Sequence, residues 1–297
     1  MVSFYEGNLT RFLWYARSHG FPEAINQLTP HHIREFLVYV RDAEHRWGLS
    51  GNGSESSAGK ASYTTLWHYY VSLCRLFRWA EDEGFMGDSP MANIKLRRPE
   101  KKVIEPYTRE ELKALVRVCQ HDINNGSPFL GTRNKAIILV FLDSGIRLSE
   151  LANIRLDDID LDSGVIKVTG KGSKQRLVGI AKTTKVALWK YKTWRPDGSP
   201  WLWLGEEEHR LTARAIQSMF KRLKDRAGLR DTGGLVHKMR HTMAMSFLEG
   251  DGDVRSLQVL LGHSDIEMTM RYLQAVGAKQ ALAKHAKASP VETMGLS

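Results

Sequence analysis

Apolar residues recur at helical spacing along most of this chain and at strand spacing in one short stretch. Residues 7–19 and 31–46 read as helices, the second carried by Ile33, Phe36, Leu37 and Val40. Leu66, Tyr69, Leu73, Leu76, Phe77 and Ala80 form a stripe over residues 62–84, stopped by Gly87 to Pro90. Between these helices, Leu49 to Gly59 is rich in glycine and serine and predicts a mobile loop. Thr108 and Glu111 make a capping box ahead of Leu112, Leu115 and Val116. The apolar run Ala136 to Leu142 predicts a buried helix ending at Ser144 and Gly145. Val165–Thr169 and Arg176–Ile180 read as two strands, with Gly170 to Gln175 as the hairpin tip. Ile216, Met219, Phe220 and Leu223 mark a further helix. Val254, Leu257, Leu260 and Leu261 mark another, closed by Gly262.

Residues 95–106 interrupt this pattern. They are charged, carry two prolines and lack periodicity, which marks a linker. The expected organisation is a helical domain over 1–94, the linker, and a second domain over 107–297 that includes a C-terminal tail. The expected fold class is mainly α with a small antiparallel β-sheet.

Composition narrows the function class. The 297 residues, 42% of them hydrophobic, suffice for one large or two medium domains. No apolar run approaches the roughly 18–20 residues of a membrane span, and the start resembles no signal peptide. Cys74 and Cys119 form no CxxC pair and fit a reducing cytosol, so a cytoplasmic, nucleoid-associated protein is expected. The net charge is +10. Residues 1–100 balance at 11 basic and 11 acidic side chains, whereas 101–297 hold 32 and 22. The whole excess therefore lies in the second domain, where it would attract a polyanion, most commonly nucleic acid.

Polar residues in the second domain form a set suited to a phosphodiester. Arg147 and Arg240 can grip non-bridging oxygens with paired N–H donors. Tyr272 offers a nucleophilic hydroxyl. Lys171, His237 and His263 offer protons or hydrogen bonds to a leaving alkoxide and to the phosphate. Glu150, one turn after Arg147, can hold that arginine. Lys171 lies between Gly170 and Gly172, and glycine lets a turn come close to a ligand. Lys174 and Arg176 read as contacts to the DNA backbone or as solvated charges. His237 and His241 have the spacing of a zinc pair, but Lys238 occupies the place of the required glutamate, and with Arg240 it would oppose a cation.

Together these segments resemble the tyrosine recombinases, or phage integrases. The matching stretches are Ser144 to Leu151, Thr169 to Arg176, His237 to Thr242, and Leu261 to Asp265 running on to Arg271 and Tyr272. Residues 62–92 resemble that family's core-binding domain. The compact size is similar to Xer-type or transposon-borne members. Lys238 and Met239 depart from the usual pattern, which is less charged and then leucine.

The resemblance implies a site-specific recombinase that cuts and rejoins double-stranded DNA through a 3′-phosphotyrosine and a Holliday junction. Arg147 and Arg240 would clamp the scissile phosphate, and Lys171 would protonate the leaving 5′ oxygen. His237 would assist proton transfer, His263 would bind a phosphate oxygen, and Tyr272 would attack. Glu150 and His241 would support them. No cofactor or metal is expected. Expected partners are DNA and three further copies in a tetramer on paired sites, with room for an accessory DNA-bending protein or a partner recombinase. The stripe Ala278, Ala281, Leu282 and Ala286 suggests that residues 276–288 dock on a neighbouring protomer. The rival readings are a type IB topoisomerase, a non-catalytic DNA-binding regulator and a zinc hydrolase.

Overall fold

The computed structural model describes residues 2–44, 59–100, 105–229 and 235–262, with Thr269, Met270, Tyr272 and Gly277. The chain divides into two compact units, Met1–Lys102 and Val103–Ser297. Among the described residues there are ten α-helices and one three-stranded sheet.

The first unit is helical. It comprises α1 (Val2–Ser18), α2 (Pro30–Asp42) and α3 (Tyr63–Asp82). Pro30 opens α2 at a position where its missing N–H costs nothing, and the Ser62 hydroxyl caps α3 by accepting from the Thr65 N–H. The apolar stripes meet in one core, where the Phe36 ring lies edge-on to Phe12 at 5.0 Å and to Tyr69 at 5.7 Å. Helix α1 begins earlier than residue 7. Helix α2 stops at Asp42 because Ala43 turns extended, four residues short of the expected end. The Ala43 N–H still bonds the Tyr39 carbonyl, and the Gly59 N–H reaches back to the Glu44 carbonyl. Most of the glycine- and serine-rich stretch lies outside the described residues.

In the second unit, α4 (Arg109–Asn124) starts at the expected capping box. The Thr108 hydroxyl accepts from the Glu111 N–H at 3.2 Å, and the Glu111 carboxylate accepts from the Thr108 N–H at 2.8 Å. Helix α5 (Pro128–Ser144) is buried on several sides and packs against α4, α7 (Lys182–Trp194) and α9 (Leu235–Glu249). That all-round burial explains why its run 136–142 shows no polar face. The short α6 (Leu148–Ala152) follows. Strands β1 (Ile159–Asp160), β2 (Val165–Thr169) and β3 (Gln175–Gly179) form an antiparallel sheet in that order. Ile166 faces Val178 across the ladder, and Val168 faces Arg176. The helices α8 (Ala213–Arg226) and α10 (Val254–Leu261) carry the two later stripes.

The sequence pattern missed α7 and β1. Helix α7 buries Ala187, Leu188 and Tyr191 but exposes Val186, Trp189 and Trp194, so apolar residues fall on both faces and blur the stripe. A two-residue strand is too short to show alternation. No helix among the described residues is long and apolar enough to cross a membrane.

Candidate active site

The site forms where three helices end or begin. Helix α5 ends at Gly145 and α10 at Gly262, both with positive φ, at 57° and 62°. Glycine adopts this left-handed conformation at little steric cost. There is also no room for a larger residue at Gly145, since a Cβ would come within 2.9 Å of the Leu261 and Met243 side chains. The ends of α5 and α10 therefore meet the middle of α9 at this point. A small core of Met243, Ala244, Met245, Leu248, Leu257 and Leu261 lies beneath, and Tyr272 packs against it.

Arg147 sits just before the first turn of α6, in extended conformation. Glu150 reaches back to it twice. One carboxylate oxygen accepts the Arg147 backbone N–H at 2.8 Å, and the other accepts Nη1 of the Arg147 side chain at 2.9 Å. This differs from an ordinary surface pair three residues apart, which contributes a few tenths of a kcal/mol. Glu150 is only 3% exposed. Its second guanidinium partner is Arg176, which donates Nη1 and Nη2 to the two oxygens at 2.9 and 2.8 Å. Burial alone would raise the carboxyl pKa. The bonds from Arg176 and Arg147 overcome that and hold it at about 2.

Three arginines then meet three successive carbonyls at the end of α10. Arg176 Nε donates to Leu260, Arg240 Nη2 to Leu261, and Arg147 Nη2 to Gly262, at 3.0, 2.6 and 3.1 Å. Arg240 also donates Nη1 to the Gly145 carbonyl at the end of α5. Helix C-termini present unpaired carbonyls and a partial negative charge, so they suit guanidinium groups. Arg240 is buried. That burial, and then the charge of Arg147, lower its pKa to about 10, which leaves it protonated at neutral pH. The Arg147 side chain stays 42% exposed, whereas that of Arg176 is 15% exposed.

His237 and Arg240 both lie on α9, but His237 is exposed where Arg240 is buried. The His241 ring meets the Tyr272 ring edge-on, centroids 5.1 Å apart. Burial, then the charges of His237 and Arg240, lower the His241 pKa and favour the neutral imidazole. Lys171 opens a short turn, Lys171–Ser173, in which Gly172 has positive φ. The preceding Gly170 lies so near Glu150 that a Cβ there would be 3.1 Å from its carboxylate.

The sequence matches the phage integrase family over residues 106–278. The chain belongs to that family. It is 34% identical over 257 residues to tyrosine recombinase XerC of Xanthomonas axonopodis pv. citri, an alignment covering 84% of this chain and 75% of that protein. The fold is similar to XerH recombinase bound to a palindromic difH substrate in a post-cleavage complex. There the TM-score is 0.72 with 22% identity, over 98% of this chain and 80% of that one. It is also similar to a lambda integrase dimer bound to a COC′ core site, with a TM-score of 0.64 and 19% identity over 90% and 86% of the two chains. As a tyrosine recombinase the protein cleaves and rejoins DNA strands in site-specific recombination. The comparisons do not favour the topoisomerase or regulator readings.

Against the expectations from sequence, the structure brings Arg147, Glu150, Arg240, His241 and Tyr272 together in one region. His263, and residues 276–288 apart from Gly277, lie outside the described residues. Two expectations need correction. Arg176 is not a solvated charge, because its side chain is 15% exposed and its fork is turned inward onto Glu150. Lys238 does not face the two histidines. It is 4% exposed, 3.6 Å from the Glu111 carboxylate and over the Tyr107 ring at 4.4 Å. It ties α9 to the start of α4, and so it does not bear on a cation between His237 and His241. Sequence reasoning also missed the carbonyl anchors. Arg176 is 26 residues from Glu150 and 84 from Leu260, so no local pattern could reveal either bond.

Proposed function

We propose that Tyr272 attacks a scissile phosphate in duplex DNA, forming a 3′-phosphotyrosine, and that Arg147 and Arg240 clamp the non-bridging oxygens. A guanidinium has five N–H donors. In Arg147 and Arg240 the bonds described above occupy one N–H on each terminal nitrogen and leave the other for phosphate. The transition state gathers negative charge on those oxygens, and donors fixed in advance stabilise it without reorganising. Lys171 gives a proton to the departing 5′ oxygen, His237 assists proton transfer, and His263 binds the phosphate. The neutral His241 packs beside Tyr272 and supports its placement. Lys174, in the exposed hairpin, contacts the DNA backbone.

The phosphotyrosine bond conserves the energy of the phosphodiester. A second 5′-hydroxyl can attack it and free Tyr272 with no nucleotide cofactor. Exchange between two duplexes needs paired sites, so four protomers assemble on two sites and pass through a Holliday junction. The observation that carries this reading is the convergence of Arg147 and Arg240 on the ends of α5 and α10, beside Tyr272.

The test is a nicked suicide duplex, on which cleavage traps the covalent protein–DNA adduct. Tyr272→Phe should bind this DNA like the unaltered protein and form no adduct, because the arginines supply affinity and the phenol supplies the bond. An adduct formed by Tyr272→Phe would overturn the assignment of the nucleophile.

A further inference from the structure

Arg176 has no task in the chemistry above, yet all three nitrogens of its guanidinium are engaged. Nη1 and Nη2 form a fork on Glu150, and Nε bonds the Leu260 carbonyl. Two parallel bonds fix the plane of a guanidinium, and a third from Nε fixes its direction within that plane.

Three segments touch this group. The first is the start of α6, where Glu150 also holds Arg147. The second is the hairpin. A Cβ at Gly170 would lie 3.1 Å from Glu150 Oε1 and 3.9 Å from Arg176 Nη1, and the next residue is Lys171. The third is the end of α10, where a Cβ on Gly262 would lie 3.0 Å from Cζ, Nε and Nη1 of Arg176. The residue after Gly262 is His263. The guanidinium thus lies against both glycine turns, between three pieces of chain that each lead to a reacting group.

We infer that Arg176 is a positioning residue for strand cleavage. Through Glu150 and the Leu260 carbonyl it holds Arg147, the Lys171 hairpin and the end of α10 in mutual register, and it does not itself bind DNA. This deepens the function proposed above and rests on it. A group displaced by about 1 Å can cost on the order of 10²-fold in rate, so the effect of losing Arg176 should appear in the chemical step.

The experiment uses the full chain at saturating concentration on the nicked duplex in single turnover, with DNA affinity measured across salt. Arg176→Gln should cleave about 10²-fold more slowly. Its affinity and salt slope should match the unaltered protein. Arg176→Lys should also lose about tenfold or more, as outer partners of a site commonly do, because one ammonium cannot bridge carboxylate and carbonyl together. Since Arg176 acts in part through the Glu150 carboxylate, combining Arg176→Gln with Glu150→Gln should cost less than the product of the two single losses.

Near-normal cleavage with a salt slope shallower by about one contact would make Arg176 a phosphate ligand and overturn the inference. If Arg176→Gln fails to fold, Arg176→Lys decides, and full activity in that variant refutes positioning. Tyr272→Phe in the same assay separates the two claims. An adduct from Tyr272→Phe sinks the site reading, whereas an inert Tyr272→Phe beside a fully active Arg176→Gln sinks only the role of Arg176.

Discussion

Replacing Glu150 by glutamine keeps its shape and removes the charge that two arginines share. The magnitude follows from the carboxyl pKa, which the fold moves from 4.5 to about 2. That displacement corresponds to about 3 kcal/mol of stability at neutral pH, at 1.36 kcal/mol per tenfold change. Glutamine would also leave Arg147 and Arg176 close together without a counter-charge, a loss of the kind that costs buried pairs dearly. In a unit the size of Val103–Ser297, the melting temperature should fall by roughly 6–12 °C. The sign with pH is definite. A depressed carboxyl stabilises fully above its unfolded value near 4.5, and its contribution is lost as pH falls toward about 2. Glutamine does not titrate, so the stability gap between the two proteins should narrow as pH falls. It should have narrowed by about 1.4 kcal/mol near pH 3.5. Urea unfolding of both proteins between neutral pH and that point measures the gap. A gap that stays constant, or one below about 0.5 kcal/mol at neutral pH, would refute the reasoning.

Arg147→Lys and Arg240→Lys should each lose on the order of 10²-fold or more in cleavage, because lysine keeps the charge and loses the two-pronged geometry. Rates near those of the unaltered protein in both would reduce them to backbone contacts. Lys171→Ala should recover on DNA whose bridging 5′ oxygen is sulfur, since a thiolate leaves without a proton. If sulfur brings no gain, Lys171 is not the acid. DNA affinity should fall steeply between about 50 and 200 mM salt, because each neutralised phosphate releases a counterion. A flat response in a filter-binding titration would count against a phosphate-dominated interface.

Much of the fold was legible where apolar stripes faced a single core. The α2, α3, α8 and α10 stripes, the β2–β3 hairpin and the Thr108–Glu111 box are local patterns, and local pattern predicts them. Helix α7 was not legible because Trp189 and Trp194 lie on its exposed face. At the site, residue types and order pointed to Arg147, Glu150, Arg240 and Tyr272, since phosphate chemistry demands such groups. The hold of Glu150 on Arg147 was legible from their spacing, but the sequence could not show the anchors that are distant along the chain. Arg240 hangs from the carbonyls of Gly145 and Leu261, and every residue has a carbonyl, so composition carries no trace of the bond. The inward partners of Arg176 were missed for the same reason, because they lie far along the chain.

Those carbonyl anchors have a consequence for how the chain can drift. A side-chain anchor is lost by one substitution, but the carbonyls of Leu260 and Leu261 survive any replacement that still ends the helix there. What inheritance must preserve is two stopping points, at Gly145 and Gly262, together with the arginines that read them. Glu150 is the exception, a side-chain anchor that one substitution removes. A scaffold specified by where helices stop depends less on which side chains line those helices than on where each one ends.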